Sequence, residues 1–127
     1  MGTSKVLIVD DQMPMRQILR SLLSEAGYRV VAEASHGQKA IEMSKQFKPD
    51  VICLDITMPG LDGIETLKKL KEDHPEVLVI MITGHSNRKD IEAAIEAGAS
   101  GYIVKPIHAG KTLQTVERVL ASRLGID

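Results

Sequence analysis

With 127 residues, 43% hydrophobic and 26% charged, the chain has the size and composition of one soluble globular domain. Its 16 basic and 17 acidic side chains nearly cancel, which argues against a basic nucleic-acid surface. A lone cysteine, Cys53, excludes an internal disulfide and a zinc site of paired cysteines.

Apolar runs and helical periods alternate from end to end. Val6-Leu7-Ile8-Val9 is continuous and rich in β-branched residues, as a strand covered on both faces should be. It ends in Asp10-Asp11. Pro14 then opens a helix near its first turn, where its missing N–H does no harm. Met15, Ile18, Leu19, Leu22, Leu23 and Ala26 follow at helical spacing and predict one apolar stripe. Gly27 stands at the expected stop.

Arg29 to Ala34 reads as a more polar strand, which places it at a sheet edge. Gln38 to Phe47 is a second helix, stopped by Pro49. Val51-Ile52-Cys53-Leu54 is a fully apolar strand running into Asp55, and the loop Thr57-Met58-Pro59-Gly60 follows. Ile64, Leu67 and Leu70 mark a third helix with Lys68, Lys69 and Lys71 outside, broken at His74-Pro75. Val77 to Ile82 is the longest apolar run and ends in Thr83-Gly84. Ser86 or Asn87 would cap a helix carrying Ile91, Ala94 and Ile95, closed by Gly98. Tyr102-Ile103-Val104 is a short strand before Lys105-Pro106. Leu113, Val116, Leu120 and Leu124 lie on a final helix.

Five strands and five helices in strict alternation predict an α/β fold: a doubly wound, five-stranded parallel sheet with helices on both faces. The polar second strand and apolar first strand favour the flavodoxin-like order 2-1-3-4-5. No apolar run approaches the roughly 20 residues that span a bilayer. Val6 to Val9 is too short for a signal-peptide core, and Gly2 lacks the Ser or Thr at position 6 that myristoylation needs. The expected location is the cytoplasm, without membrane insertion.

Four of the five strands end in a chemically active residue: Asp10-Asp11, Asp55, Thr83 and Lys105. Parallel strands of a doubly wound sheet all end on one edge, and ligands bind there. Three crowded carboxylates repel one another unless a proton or a cation intervenes. Oxygen donors alone favour a hard cation, Mg²⁺ or its surrogate Mn²⁺, over zinc. A carboxylate cluster with a lysine and a hydroxyl suits a phosphoryl group. Asp55, alone at the end of a central strand, is the expected nucleophile.

The chain resembles the response-regulator receiver domain, of the single-domain type found in chemotaxis regulators. Val9-Asp10-Asp11, Asp55-Ile56-Thr57-Met58-Pro59-Gly60 with Asp62-Gly63, Thr83-Gly84, and Ala97-Gly98-Ala99 through Tyr102 to Lys105-Pro106-Ile107 carry the likeness. It covers about residues 5 to 122, so residues 1–127 are expected to form a single receiver domain. The chemotaxis regulator is itself a standard example of the order 2-1-3-4-5, so resemblance and pattern point the same way.

The resemblance implies that Asp55 accepts the phosphoryl group. It implies metal ligation by Asp11, by Asp10 mainly through water, by Asp55 and by the backbone carbonyl of Thr57. Thr83 would be the switch hydroxyl, Lys105 the partner of a phosphoryl oxygen, and Tyr102 the aromatic that turns inward on activation. Thr57 and His85 stand where attacking water is tuned, and the Lys105-Pro106 bond would be cis. Gly84 departs from the alanine common in the family. The implied partners are a sensor histidine kinase or phosphotransfer protein and a downstream protein target. That target would meet the fourth helix, fifth strand and fifth helix, with the chain a monomer or weak dimer. The implied role is a switch that catalyses its own phosphorylation and dephosphorylation, not a turnover enzyme.

Other readings stand beside these. Asp10-Asp11 could simply cap the first helix. Cys53 is expected one strand face away from Asp55, as a buried small hydrophobe. His36, His74, His85 and His108 read as loop residues, and the third-helix lysines as a solvated face. Tyr102 could be only a strand aromatic. An aspartyl-phosphate phosphatase or phosphotransferase would need an acid-base carboxylate where Thr57 stands. A flavodoxin-like electron carrier would need a Ser/Thr/Gly-rich phosphate loop after the first strand, and aromatic flavin stackers.

Overall fold

The computed structural model describes residues 4–56, 63–84 and 88–123. Its elements alternate strictly: β1 (Lys5–Val9), α1 (Met13–Glu25), β2 (Arg29–Ala34), α2 (Gly37–Phe47), β3 (Val51–Asp55), α3 (Gly63–Asp73), β4 (Leu78–Thr83), α4 (Arg88–Glu96), β5 (Gly101–Val104) and α5 (Ala109–Arg123). The five strands pair in parallel in the order β2-β1-β3-β4-β5. This is the predicted fold, with the polar strand β2 at an edge.

Alternation along each strand divides the core into two layers. Leu7, Val9, Ile52, Leu54, Val79 and Met81 face α2, α3 and α4. Val6, Ile8, Val51, Cys53, Ile80 and Ile82 face α1 and α5. Both layers are covered, so the central strands need apolar residues at every position. Each fully buried aliphatic side chain contributes about 1.5–3 kcal/mol, enough together to hold the strand ends in fixed register.

Helix ends follow local chemistry. At the end of α1, Gly27 adopts φ +97°, a conformation that L side chains rarely reach. The Gly27 N–H donates to Ser24 O (3.1 Å) and the Tyr28 N–H to Leu23 O (3.0 Å), closing the helix with paired bonds. Gly98 ends α4 with the same pair of bonds. Gly63 opens α3 for another reason: a Cβ there would run into the Ile56 backbone.

Some expectations need correction. The α1 stripe is narrower than its periodicity: Leu19 and Leu23 are fully buried, but Ile18 is 52% exposed. Likewise α4 packs through Ala94 and leaves Ile95 55% exposed. A helix at the side of a sheet needs only its inner turns, so residues about 100° around fall outside the contact. β4 begins at Leu78, because Val77 closes a turn by donating to His74 O. Lys71 is half-buried and held in place: its ammonium donates to Pro75 O and Val77 O, both at 2.7 Å. Burial holds that amine below the usual lysine range. Cys53 shares the strand face of Asp55, two residues away, and does not lie on the opposite one. It is fully buried, and burial pushes its thiol up to about 12. His36 is the N-cap of α2, its Nδ1 accepting from the Lys39 N–H (3.2 Å). Ser86, Asn87 and Leu124 lie outside the described residues.

Candidate metal centre

The carboxyl ends of the strands bring together the residues that the sequence singles out. Asp10 follows β1, Asp55 ends β3, Thr83 ends β4 and Lys105 follows β5. The strand ends are tied by main-chain bonds: the Asp10 N–H donates to Ala34 O (3.0 Å) and the Lys105 N–H to Thr83 O (2.8 Å). The Lys105-Pro106 peptide bond is cis, as the resemblance implies.

Asp10, Asp11 and Asp55 each offer a carboxylate oxygen, and these atoms lie within 4.8 Å of one another. Asp10 and Asp55 are buried, whereas Asp11 is exposed. Lys105 Nζ stands 3.3 Å from Asp55 Oδ2 and 3.6 Å from Asp10 Oδ2. The first is a hydrogen bond; the second is a charge contact only. Three ionised carboxylates facing one ammonium leave two negative charges in excess.

Asp10 bears most of this imbalance. Its Oδ1 accepts from the Gln12 N–H (2.9 Å), while the buried Oδ2 has no hydrogen-bond partner. Burial raises the carboxyl above the usual carboxylate range, and the Asp55 and Asp11 charges add to the rise. The Gln12 bond and Lys105 oppose it. The capping reading is not what the structure shows, since Gln12 is the N-cap of α1 and makes no side-chain cap bond. An orphaned buried oxygen and two surplus charges in an all-oxygen donor set fit a hard divalent cation.

Thr83 is buried at the end of β4, and Gly84 after it is exposed. Tyr102 lies apart from the acids: it pairs with Met81 in the sheet and is 44% exposed. Thr57 and His85, with Met58, Pro59, Gly60 and Asp62, lie outside the described residues.

Sequence reasoning missed a basic clamp behind the acids. Arg16 of α1 donates through an η nitrogen to the Asp10 carbonyl (2.7 Å) and through Nε to Glu33 Oε1 (3.1 Å). Arg20, one turn on, donates to Glu33 Oε2 (2.5 Å). Burial alone would raise the Glu33 carboxyl, but the hydrogen bonds and charges of Arg20 and Arg16 outweigh it and hold the group below its ordinary range. The available signal was an arginine pair at i, i+4 on α1 with one acid in the otherwise apolar end of an edge strand.

The chain is similar to known proteins along most of its length. The family model described as the response regulator receiver domain matches residues 6–117. Chemotaxis protein CheY of Bacillus subtilis is 39% identical over 116 residues, which cover 91% of this chain and 97% of that protein. Chemotaxis protein CheY of Thermotoga maritima is 36% identical over 115 residues, covering 91% and 96%. Among solved structures, the CheX–CheY–BeF3–Mg complex from Borrelia burgdorferi superposes with a TM-score of 0.91 at 32% identity, covering 94% of this chain and 90% of that one.

Proposed function

The chain belongs to the response regulator receiver domain family, and from that premise we propose that Asp55 accepts a phosphoryl group from a histidine-kinase phosphohistidine and thereby switches a signalling surface. The observation that carries this reading is the cluster of Asp10, Asp11 and Asp55 around Lys105 at the carboxyl edge of the sheet. Receiver domains bind Mg²⁺ at such an acidic cluster. We assign its ligands here to Asp11, Asp55, Asp10 (mainly through water) and the Thr57 carbonyl. When bound, the cation offsets the negative charge shared by the acids and the phosphoryl oxygens.

A carboxylate oxygen of Asp55 attacks phosphorus while the phosphorus–nitrogen bond of the donor breaks. The bond's electron pair and a proton stay with the donor imidazole. Lys105 holds a phosphoryl oxygen by its charge, and the Thr83 hydroxyl donates a hydrogen bond to another. Little covalent chemistry is asked of the rest of the chain beyond positioning. The domain is a switch that catalyses its own phosphorylation and dephosphorylation, with Thr57 and His85 setting the lifetime of the phosphoryl group.

The output surface we propose is α4, β5 and α5, where Ile95, Tyr102 and Val104 are exposed. Tyr102 would turn inward when Thr83 moves to the phosphoryl group, because a ligand shifts a conformational equilibrium only through such differential contacts. The partners are a sensor kinase or phosphotransfer protein and a downstream protein. Residues 1–127 act as one unit, a monomer or weak dimer in the cytoplasm. No helix among the described residues is long and apolar enough to cross a membrane. Family membership favours this reading over a turnover phosphatase or a flavin carrier.

The test is to incubate the protein with a small acyl phosphate and weigh it intact. One phosphoryl unit should be gained with Mg²⁺, and none with chelator or in Asp55→Asn. Uptake that survives in Asp55→Asn would contradict the assignment, as would rapid turnover of phosphate esters without an adduct.

A further inference from the structure

The loop between β1 and α1 carries Asp10 and Asp11, and its main chain is gripped from outside the acid cluster. The Arg16 guanidinium spans two anchors: the Asp10 carbonyl at 2.7 Å and Glu33 Oε1 at 3.1 Å. The Glu33 carboxylate is fixed in turn by Arg20 through its other oxygen. Glu33 lies on β2, whose Ala34 carbonyl accepts from the Asp10 N–H. Asp10 is thus held at its N–H, its carbonyl and, through Gln12, its carboxylate. A guanidinium fork suits this task because its planar donors fix two acceptors at once, which an ammonium cannot do.

We propose that Arg16, oriented by Glu33 and Arg20, is a positioning residue that pre-sets the Asp10-Asp11 loop for the divalent cation. The inference rests on the metal reading above and deepens it. Partners behind metal ligands orient them, and their loss typically costs about 10–100-fold in affinity. Simple electrostatics predicts the opposite sign: removing a positive charge beside three acids should tighten cation binding. The side-chain exposures of Arg16 and Glu33 are 15% and 26%, so the pair is shielded enough to act as a rigid strut.

The test is calorimetric titration of Mg²⁺ into the full-length chain, with thermal melts in chelator alongside. Wild type is compared with Arg16→Ala, Arg16→Lys and Glu33→Gln. Arg16→Ala and Arg16→Lys should each weaken Mg²⁺ binding by about tenfold or more, with a smaller loss in Glu33→Gln. Arg16→Lys keeps the charge and loses the fork, so its failure to rescue separates geometry from charge. A lowered melting temperature with unchanged Mg²⁺ affinity in both Arg16→Lys and Glu33→Gln would overturn the proposal, as would tighter binding in Arg16→Ala. Absence of Mg²⁺ binding in wild type would instead overturn the metal reading on which the proposal stands.

Discussion

β2 and β5 are the two edge strands of the same sheet, and they are finished differently. The β2 edge is a wall, where Glu33 is locked to Arg16 and Arg20 of α1 and Ala34 holds the Asp10 N–H. The β5 edge is open and apolar, with Tyr102 44% and Val104 36% exposed and Ile95 of α4 exposed nearby in the chain order. Charged pairs blunt an edge against unwanted pairing, whereas exposed apolar side chains invite a partner. The difference suggests a division of labour. The β2 side fixes the acids, and the β5 side, joined to the acids through Lys105, is left free to present a surface.

Asp10→Asn offers the largest contrast, since it removes charge from the fixed side. The chelated variant should be about 1–2 kcal/mol more stable than wild type, because it removes a buried charge that Asp55 and Asp11 repel. Its Mg²⁺ affinity should fall by about tenfold or more. Urea denaturation with and without Mg²⁺ reads both effects. A destabilised Asp10→Asn would mean that Lys105 already balances the carboxylate.

The edges themselves can be set against each other by urea denaturation. Glu33→Ala should cost about 1 kcal/mol, since it breaks two charge-assisted hydrogen bonds that are partly screened by solvent. Tyr102→Ala and Val104→Ser should each stay within about 0.5 kcal/mol, while weakening any partner that docks on β5. Equal costs at both edges would break the comparison.

A smaller effect follows from pH. The folded Glu33 carboxyl lies below its ordinary value of 4.5, so its stabilisation is complete above that pH. It is lost as pH falls through the lower, folded value. Glu33→Gln should therefore show a shallower loss of stability below pH 4.5 than wild type. Parallel pH profiles would show that the clamp adds nothing to stability.

Much of this design was legible in the sequence, for reasons that differ by residue. Continuous β-branched runs and strict alternation suffice for a two-sided parallel sheet, and strand ends then bring Asp10, Asp11, Asp55 and Lys105 to one edge. Periodicity over-reached at Ile18 and Ile95, because it reports which residues could face a core and not how wide the contact is. Lys71 reads as a surface lysine until the turn at Pro75 and Val77 offers it two carbonyls. The Arg16–Glu33 pair joins residues 17 positions apart across a helix and an edge strand. The packing of α1 on β2 brings them together, and the i, i+4 arginines with one acid on an edge strand are a signal that points to the pair without fixing it.

The most direct test of the central claim locates the phosphoryl group by residue. The protein is phosphorylated with a small acyl phosphate and Mg²⁺, reduced with borohydride, and digested for peptide sequencing by mass spectrometry. Reduction converts an aspartyl phosphate to homoserine. The account predicts homoserine at position 55 and at neither 10 nor 11. Homoserine at another aspartate, or phosphate retained on a hydroxyl such as that of Thr83, would contradict it.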